Sequence, residues 1–100
     1  MDSIRISIIQ TDIVWENKQE NLRLLHEKLQ NLRGTTEIVV LPEMFSTGFS
    51  MQSQLLAEPN SGVTITILKQ WASRYGIAIC GSYIAIDNGQ FYNRAFFLAP

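Results

Sequence analysis

The chain has 100 residues, of which 46% are hydrophobic, and its formal net charge at neutral pH is −1. This size and composition fit one soluble globular domain, or part of a larger one. The basic residues are scattered and form no stripe, which argues against nucleic acid as a partner. Every apolar run falls short of the roughly 20 residues that a membrane-spanning helix needs, so we expect no membrane partner.

The N-terminal segment and the cysteine content bear on location. The segment MDSIRISIIQ has no basic region followed by a long apolar stretch, so we expect no signal peptide. Cys80 is the single cysteine of the chain and cannot form an internal disulfide. Together these features predict a cytoplasmic protein.

The first part of the chain predicts a strand, a helix and a second strand. Residues 4–10 (IRISIIQ) combine alternation with β-branched side chains, which is typical of a strand. Asn17 is the predicted N-cap of the helix, and Glu20 follows at the spacing of a capping box. An apolar stripe then runs to Gly34, the predicted left-handed helix stop. Its members are Leu22, Leu25, Leu29 and Leu32. Residues 37–42 (EIVVLP) predict a strand that is covered on both faces.

The second part predicts a loop, a helix and a hairpin. The loop covers residues 43–60, and the helix begins near Ser61 and ends at Gly76. Its predicted apolar stripe consists of Val63, Ile67, Trp71 and Tyr75, with Leu68 alongside. Strands over 77–86 and 91–99 follow. The intervening sequence Asp87-Asn88-Gly89-Gln90 contains an Asn-Gly pair, which strongly indicates a tight hairpin turn.

These elements have the order β-α-β-α-β-β and predict the α/β class, with a mixed β-sheet and covering helices. The first three strands suit right-handed parallel crossovers, and the hairpin adds an antiparallel neighbour. The last strand carries Phe91, Phe96, Phe97 and Leu98. We expect some of these side chains to lack cover within the 100 residues, and exposed faces of that kind favour association.

Glu43 is the candidate catalytic residue. It follows Pro42 at the carboxyl end of the second strand, where open α/β sheets bind their ligands, and the proline fixes the turn. We expect Met44, Phe45 and Phe49 to desolvate the carboxylate partly. Desolvation disfavours the charged form of an acid and suits a general base. The alternative is that Glu43 is a solvated loop residue or a local cap.

Other side chains have two interpretations each. Phe45 and Phe49 either line an apolar substrate pocket or cap the core beneath the loop. Asn93 and Arg94 either support the site or a dimer surface, or belong to an ordinary edge strand. His26 has no nearby cluster of ligands for a metal, so we predict a histidine at the boundary of the core and no metal site.

The chain resembles the nitrilase superfamily, the carbon–nitrogen hydrolases, over essentially all of its length. IVVLPEMFSTGF is similar to the first signature of that family, and FYNRAFFLAP to the strand in which an Asn follows an aromatic residue. IRISIIQTDIVW, NKQENLRLL and IAICGSY resemble the opening strand, the first helix and the third strand. The two signature stretches look most like the omega-amidase branch. That branch hydrolyses the terminal amide of short 2-oxo dicarboxylic acid monoamides.

The resemblance implies an αββα sandwich with a Glu-Lys-Cys triad. Glu43 matches the general base, which would take the proton from a cysteine thiol so that the thiolate can attack the amide. A lysine would stabilise the oxyanion. The expected substrate is a small linear amide, with no cofactor, and we expect a homodimer or a higher homo-oligomer.

The lysine and the cysteine of the family lie beyond the segment that corresponds to residues 91–99. Lys69 precedes that segment and is not a match. Cys80 lies within a strand and is predicted to be a small structural side chain. We therefore expect residues 1–100 to be the N-terminal part of a single carbon–nitrogen hydrolase domain. The alternative is a small non-catalytic binding or assembly module.

Overall fold

A computed structural model describes residues 3–100. Met1 and Asp2, which begin the segment in which no signal peptide is expected, lie outside the described residues. Each helix within residues 3–100 is too short or too polar to cross a bilayer.

The described residues form one four-stranded mixed sheet with helices. The strands are β1 (Ile6–Ile8), β2 (Ile38–Val40), β3 (Ala78–Asp87) and β4 (Gln90–Leu98), and the helices are α1 (Lys18–Leu32), α2 (Ser53–Leu56) and α3 (Val63–Tyr75). The spatial order is β1-β2-β3-β4. The pairs β1–β2 and β2–β3 are parallel, and β3–β4 is antiparallel. The predicted α/β class and mixed sheet are confirmed.

The short helix α2 lies within the region predicted to be a loop over 43–60. It is a single turn, in which the N–H groups of Leu55 and Leu56 donate to the carbonyl of Gln52 at 3.0 and 3.1 Å. Leu55 is 79% exposed, so the turn buries no apolar stripe. A helix of four residues is too short to show helical periodicity in its sequence.

The start of α1 has the predicted cap but not the predicted capping box. The side-chain oxygen of Asn17 accepts a hydrogen bond from the Glu20 N–H at 3.0 Å. The Glu20 carboxylate pairs with Arg23 at 2.6 Å, and the Asn17 N–H donates to the carbonyl of Val14 at 3.2 Å. Because the Glu20 carboxylate is paired with Arg23, it does not accept a hydrogen bond from the Asn17 N–H, as it would in a capping box.

The end of α1 comes before the predicted stop at Gly34. The last helical residue is Leu32, because Arg33 adopts φ −53° and ψ 128°. The N–H and the hydroxyl of Thr35 both donate to the Leu32 carbonyl, at 2.9 and 2.7 Å. Gly34 is left-handed, with φ 80°, but it turns the chain after the helix has ended.

The apolar stripe of α3 is rotated from its predicted position. Val63 is 67% exposed, and Ile67 and Trp71 are only half-buried. The buried residues are Thr64, Ile65, Leu68, Ala72 and Tyr75. Side chains four residues apart are rotated by about 40° per step around a helix, so the predicted stripe starts outside the core at Val63 and reaches it only at Tyr75. Tyr75 and Leu68 are buried as predicted. Gly76 ends the helix as predicted, with φ 65° and its N–H on the Ala72 carbonyl.

The helices α1 and α3 cover one face of the sheet. Val39 of β2 and Ile79 of β3 are in register and fully buried there, against Leu29 and Leu68 of the two helices. Ile38 and Val40 point to the other face and are half-buried. The predicted covering of β2 on both faces is therefore wrong for residues 3–100.

The second face of the sheet carries exposed apolar side chains. The strand registers place Ile6, Ile8, Phe91 and Phe97 on this face. We call the surface formed by these four side chains the open face. Their exposed fractions are 55%, 77%, 39% and 61%, respectively. The expectation that the last strand lacks cover is confirmed for Phe91 and Phe97.

The hairpin between β3 and β4 has the predicted turn. Asn88 and Gly89 both have positive φ, 51° and 75°, as a type I′ turn requires. The strands pair without interruption from Asp87–Gln90 to Ile79–Leu98. This fixed register decides which side chains of β4 share a face with those of β3.

Candidate active site

The candidate site begins where β2 leaves the sheet. The Leu41 N–H still donates to the Cys80 carbonyl of β3 at 2.8 Å, but Pro42 has no N–H to continue the ladder. The Met44 N–H then donates to the Ser82 hydroxyl of β3 at 2.8 Å. Met44 has φ 49°, a region that non-glycine residues seldom adopt and that clusters at functional sites. The backbone on both sides of Glu43 is therefore tied to β3.

Gly81 allows this part of the chain to lie directly on β3. A Cβ added at Gly81 would stand 3.0 Å from the Leu41 Cβ and 3.3 Å from the Cζ of Phe96. Because the Leu41 Cβ is attached directly to the backbone, a side chain at Gly81 would press on the backbone of Leu41, two residues before Glu43.

The Glu43 carboxylate contacts β4 as well. The side-chain amide of Asn93 donates a hydrogen bond to Glu43 Oε1. Asn93 pairs with Ile84, and Ser82 lies two residues before Ile84 on β3, so Ser82 and Asn93 lie on one face of the sheet. A recess of about 300 Å³ opens there. Its lining residues are Leu41, Glu43, Gly81, Ser82, Asn93 and Ala95.

Phe45 and Phe49 are not among the described residues that line the recess beside Glu43. Phe45 is buried in the core and packs edge-on against Phe96, with ring centroids 6.4 Å apart. Phe49 is 64% exposed, and Glu43 is exposed too. The predicted desolvation of Glu43 is therefore wrong for the described residues. Phe45 packs in the core instead, because burying a Phe side chain there stabilises the fold by about 1.5–3 kcal/mol. Substrate contact by Phe45 or Phe49 stays a prediction.

The loop that follows Glu43 is held by a buried asparagine of α1. Asn21 donates to the carbonyls of Ser46 and Val14, each at 2.8 Å, and accepts from the Val14 N–H at 2.7 Å. Ser46 and Thr47 are almost fully buried, and the Thr47 carbonyl accepts from the Glu16 N–H at 2.9 Å. Sequence analysis missed Asn21, because in the sequence it is only a polar residue next to the leucine stripe of α1.

Cys80 has the surroundings of a structural side chain. It is half-buried in β3, and its thiol donates to the Val39 carbonyl at 3.6 Å. Burial raises the pKa of the Cys80 thiol above its ordinary value, which lowers the fraction of reactive thiolate. These features favour the structural interpretation.

The other candidates lie away from Glu43. Arg94 follows Asn93 and therefore points to the helix-covered face, where it reaches Asp87 at 3.3 Å and Asn60 at 3.0 Å. Lys69 is exposed on α3, which packs on that same face. Of the two polar residues singled out on β4, the structure brings only Asn93 to Glu43.

His26 is packed with aromatic side chains between α1 and α3. Its ring stacks on Trp71, with centroids 4.4 Å apart and planes 5° from parallel. Its Nε2 is 2.7 Å from the Tyr75 hydroxyl. His26 is half-buried, as a residue at the boundary of the core should be.

The chain is similar in sequence to known amidases. The omega-amidase YafV of Escherichia coli K12 is 36% identical over 100 residues, and that of Yersinia enterocolitica is 32% identical. Each match covers the whole chain and 38% of the relative. The chain thus spans well under half the length of the curated relatives it matches.

The fold is also that of known structures. XC1258 of Xanthomonas campestris, a CN-hydrolase superfamily protein, superposes with a TM-score of 0.93 at 32% identity, over 100% of this chain and 38% of that one. Nit3 of Saccharomyces cerevisiae shares the fold with a TM-score of 0.79 at 22% identity, over 96% of this chain and 40% of its own. The carbon–nitrogen hydrolase family matches residues 5–100. Because this match runs from β1 through β4 and includes the Leu-Pro-Glu turn, the chain belongs to the carbon–nitrogen hydrolase family.

Proposed function

We propose that Glu43 is the general base of an amidase that uses a Glu-Lys-Cys triad. Residues 1–100 then form the N-terminal part of one hydrolase domain, and the lysine and cysteine come from beyond residue 100. The position of Glu43 carries this proposal. Its carboxylate follows the end of β2, borders an open recess and is held through one oxygen by Asn93.

The proposed reaction passes through a thioester. Glu43 takes the proton of the cysteine thiol, and the thiolate attacks the amide carbon. The lysine stabilises the oxyanion of the tetrahedral intermediate. When the C–N bond breaks, the amine nitrogen receives the proton from Glu43 and leaves as ammonia. Glu43 then takes a proton from water, hydroxide attacks the thioester, and the departing thiolate regains its proton from Glu43.

The proposed substrate is the omega-amide of a short 2-oxo dicarboxylic acid. The similarity to relatives named omega-amidases supports this choice. We also propose that the extended enzyme forms a homodimer or a higher homo-oligomer.

The test uses a chain that extends beyond residue 100 and contains the downstream lysine and cysteine. We expect ammonia release from a 2-oxo dicarboxylic acid monoamide to exceed release from the matching 2-amino compound. Glu43→Gln should lower turnover by about 10²–10⁴-fold without changing the Tm. Glu27→Gln, an exposed change on α1, is the matched control.

Two outcomes would contradict the proposal. Turnover of Glu43→Gln within twofold of the parent would exclude Glu43 as the base. A folded extended chain that hydrolyses no small amide would favour the non-catalytic module instead.

A further inference from the structure

Glu43 is held in place by two neighbouring strands. Its backbone is fixed by Pro42 on one side and, on the other, by the bond from the Met44 N–H to Ser82 of β3. Its side chain is fixed by the amide of Asn93, which comes from β4. The two anchors lie on one face of the hairpin, because Ser82 and Asn93 are brought together by the register of β3 and β4.

The side-chain anchor has a separate consequence for chemistry. Glu43 is exposed, and an exposed glutamate samples several rotamers unless a partner selects one. An asparagine amide is a neutral donor. It stabilises an ionised carboxylate without offering a site that competes for the proton. A lysine or arginine at the same place would stabilise the charge much more strongly and weaken the base.

We propose that Asn93 is the positioning residue for the general base: it holds Oε1 of Glu43 and leaves Oε2 to accept the thiol proton. This inference rests on the proposed function of Glu43. Losing the amide lets the carboxylate move away from the thiol, which lowers kcat and leaves KM nearly unchanged.

The experiment compares variants in the extended enzyme. Asn93→Leu keeps the number of side-chain heavy atoms but has no donor, and we expect kcat to fall by about 10- to 100-fold with little change in KM. Asn93→Asp has nearly the same shape, but it replaces the donor with a second carboxylate that repels Glu43, so kcat should fall at least as far.

The control is Tyr92→Phe, one residue away on β4. The Tyr92 hydroxyl donates to Gln90 at 2.8 Å, and the residue points to the opposite face from Asn93. This variant should keep the kcat and the KM of the parent. A general disturbance of β4 would instead lower the kcat and the Tm of all three variants.

A second measurement does not depend on turnover. Crystal structures of the extended parent and of Asn93→Leu should show the Glu43 carboxylate in one rotamer in the parent and in more than one in the variant. If Glu43→Gln is inactive but Asn93→Leu and Asn93→Asp keep the parent kcat and the single rotamer, only the role of Asn93 is overturned. If Glu43→Gln is active, both proposals fail.

Discussion

Lys18 and Glu58 join the beginnings of two helices, with Lys18 Nζ 2.9 Å from Glu58 Oε2. Lys18 is the first residue of α1. The Glu58 carboxylate also caps α3, since it accepts from the N–H and the hydroxyl of Thr64 at 2.9 and 2.5 Å. The Glu58 backbone pairs with β3 through Ile84 and Ile86, each at 3.0 Å. One glutamate thus ties α1, α3 and the sheet together.

Removing this carboxylate should destabilise the protein. Glu58→Ala loses the cap and leaves Lys18 without its partner, and we expect the free energy of unfolding to fall by about 2 kcal/mol. Glu58→Gln keeps an acceptor for Thr64 and should cost about 1 kcal/mol. Urea denaturation of the extended chain measures both. Glu27→Gln, which removes an exposed partner of Arg23, should change stability less; a Glu58→Ala protein as stable as its parent would contradict the prediction.

The same carboxylate should make stability depend on pH. Burial acts to raise the pKa of Glu58, but the hydrogen bonds from Thr64 and the pair with Lys18 outweigh it, and the pKa lies below its ordinary value of 4.5. A pKa that is lowered by folding contributes stability above its unfolded value, which is lost as the pH falls through the folded value. Below about pH 4.5 the parent should therefore lose stability more steeply than Glu58→Gln. Equal slopes in acid would contradict this.

Cys80 should be dispensable for catalysis. We expect Cys80→Ala to keep the turnover of the extended enzyme and to lose about 1 kcal/mol of stability, because a small side chain is removed from β3. Since burial raises the pKa of the thiol, iodoacetamide should spare Cys80 in the native state. Mass spectrometry of the labelled protein checks this. Rapid labelling of Cys80 together with loss of activity would overturn the structural interpretation.

Residues 1–100 expressed alone should release no ammonia and should associate. The proposed lysine and cysteine are then missing, and the open face is without cover. Each uncovered Phe forgoes about 1.5–3 kcal/mol of burial, out of a net stability of about 5–15 kcal/mol for a whole domain. Size-exclusion chromatography and an ammonia assay test the two parts. A stable monomer, or ammonia release from a short amide, would contradict the corresponding part.

A charge on the open face separates association through that face from general misfolding. Phe97→Lys, at a side chain that is 61% exposed, should reduce association of the isolated segment. Leu55→Lys on α2, at a side chain that is 79% exposed, is the matched control and should not. Equal association of both variants would exclude the open face as the contact.

The elements that sequence analysis predicted correctly have local signals. The Asn88-Gly89 pair favours a tight hairpin through its own backbone preference. Asn17 caps α1 by accepting a hydrogen bond from the Glu20 N–H, only three residues further along the chain. The errors arose where a contact elsewhere decides the outcome. The face that α3 buries is set by how it packs on the sheet, and no periodicity could assign Thr64 to the core, where Glu58 bonds to it.

The candidate site divides in the same way. Glu43 is recognisable because the Leu-Pro-Glu turn is contiguous in the chain. Its partner Asn93 lies 50 residues away, and in the sequence it is indistinguishable from Arg94 as a polar residue of an edge strand. Only the register of β4 on β3 separates them, and it sends one to Glu43 and the other to Asp87. For Phe45, the sequence left open whether it lines a pocket or caps the core, and the structure places it in the core.

The type I′ turn at Asn88 and Gly89 therefore has a bearing on reactivity. A shift of β4 by one residue would exchange the two faces of the strand. Arg94 would then lie on the side of the sheet where Asn93 now meets Glu43, and a permanent cation would face the carboxylate where a neutral amide does now. A guanidinium binds a carboxylate through both of its oxygens, so the general base proposed above would have no free oxygen for a thiol proton. Two residues with left-handed backbones, at the far end of a hairpin, thus bear on the proposed role of Glu43.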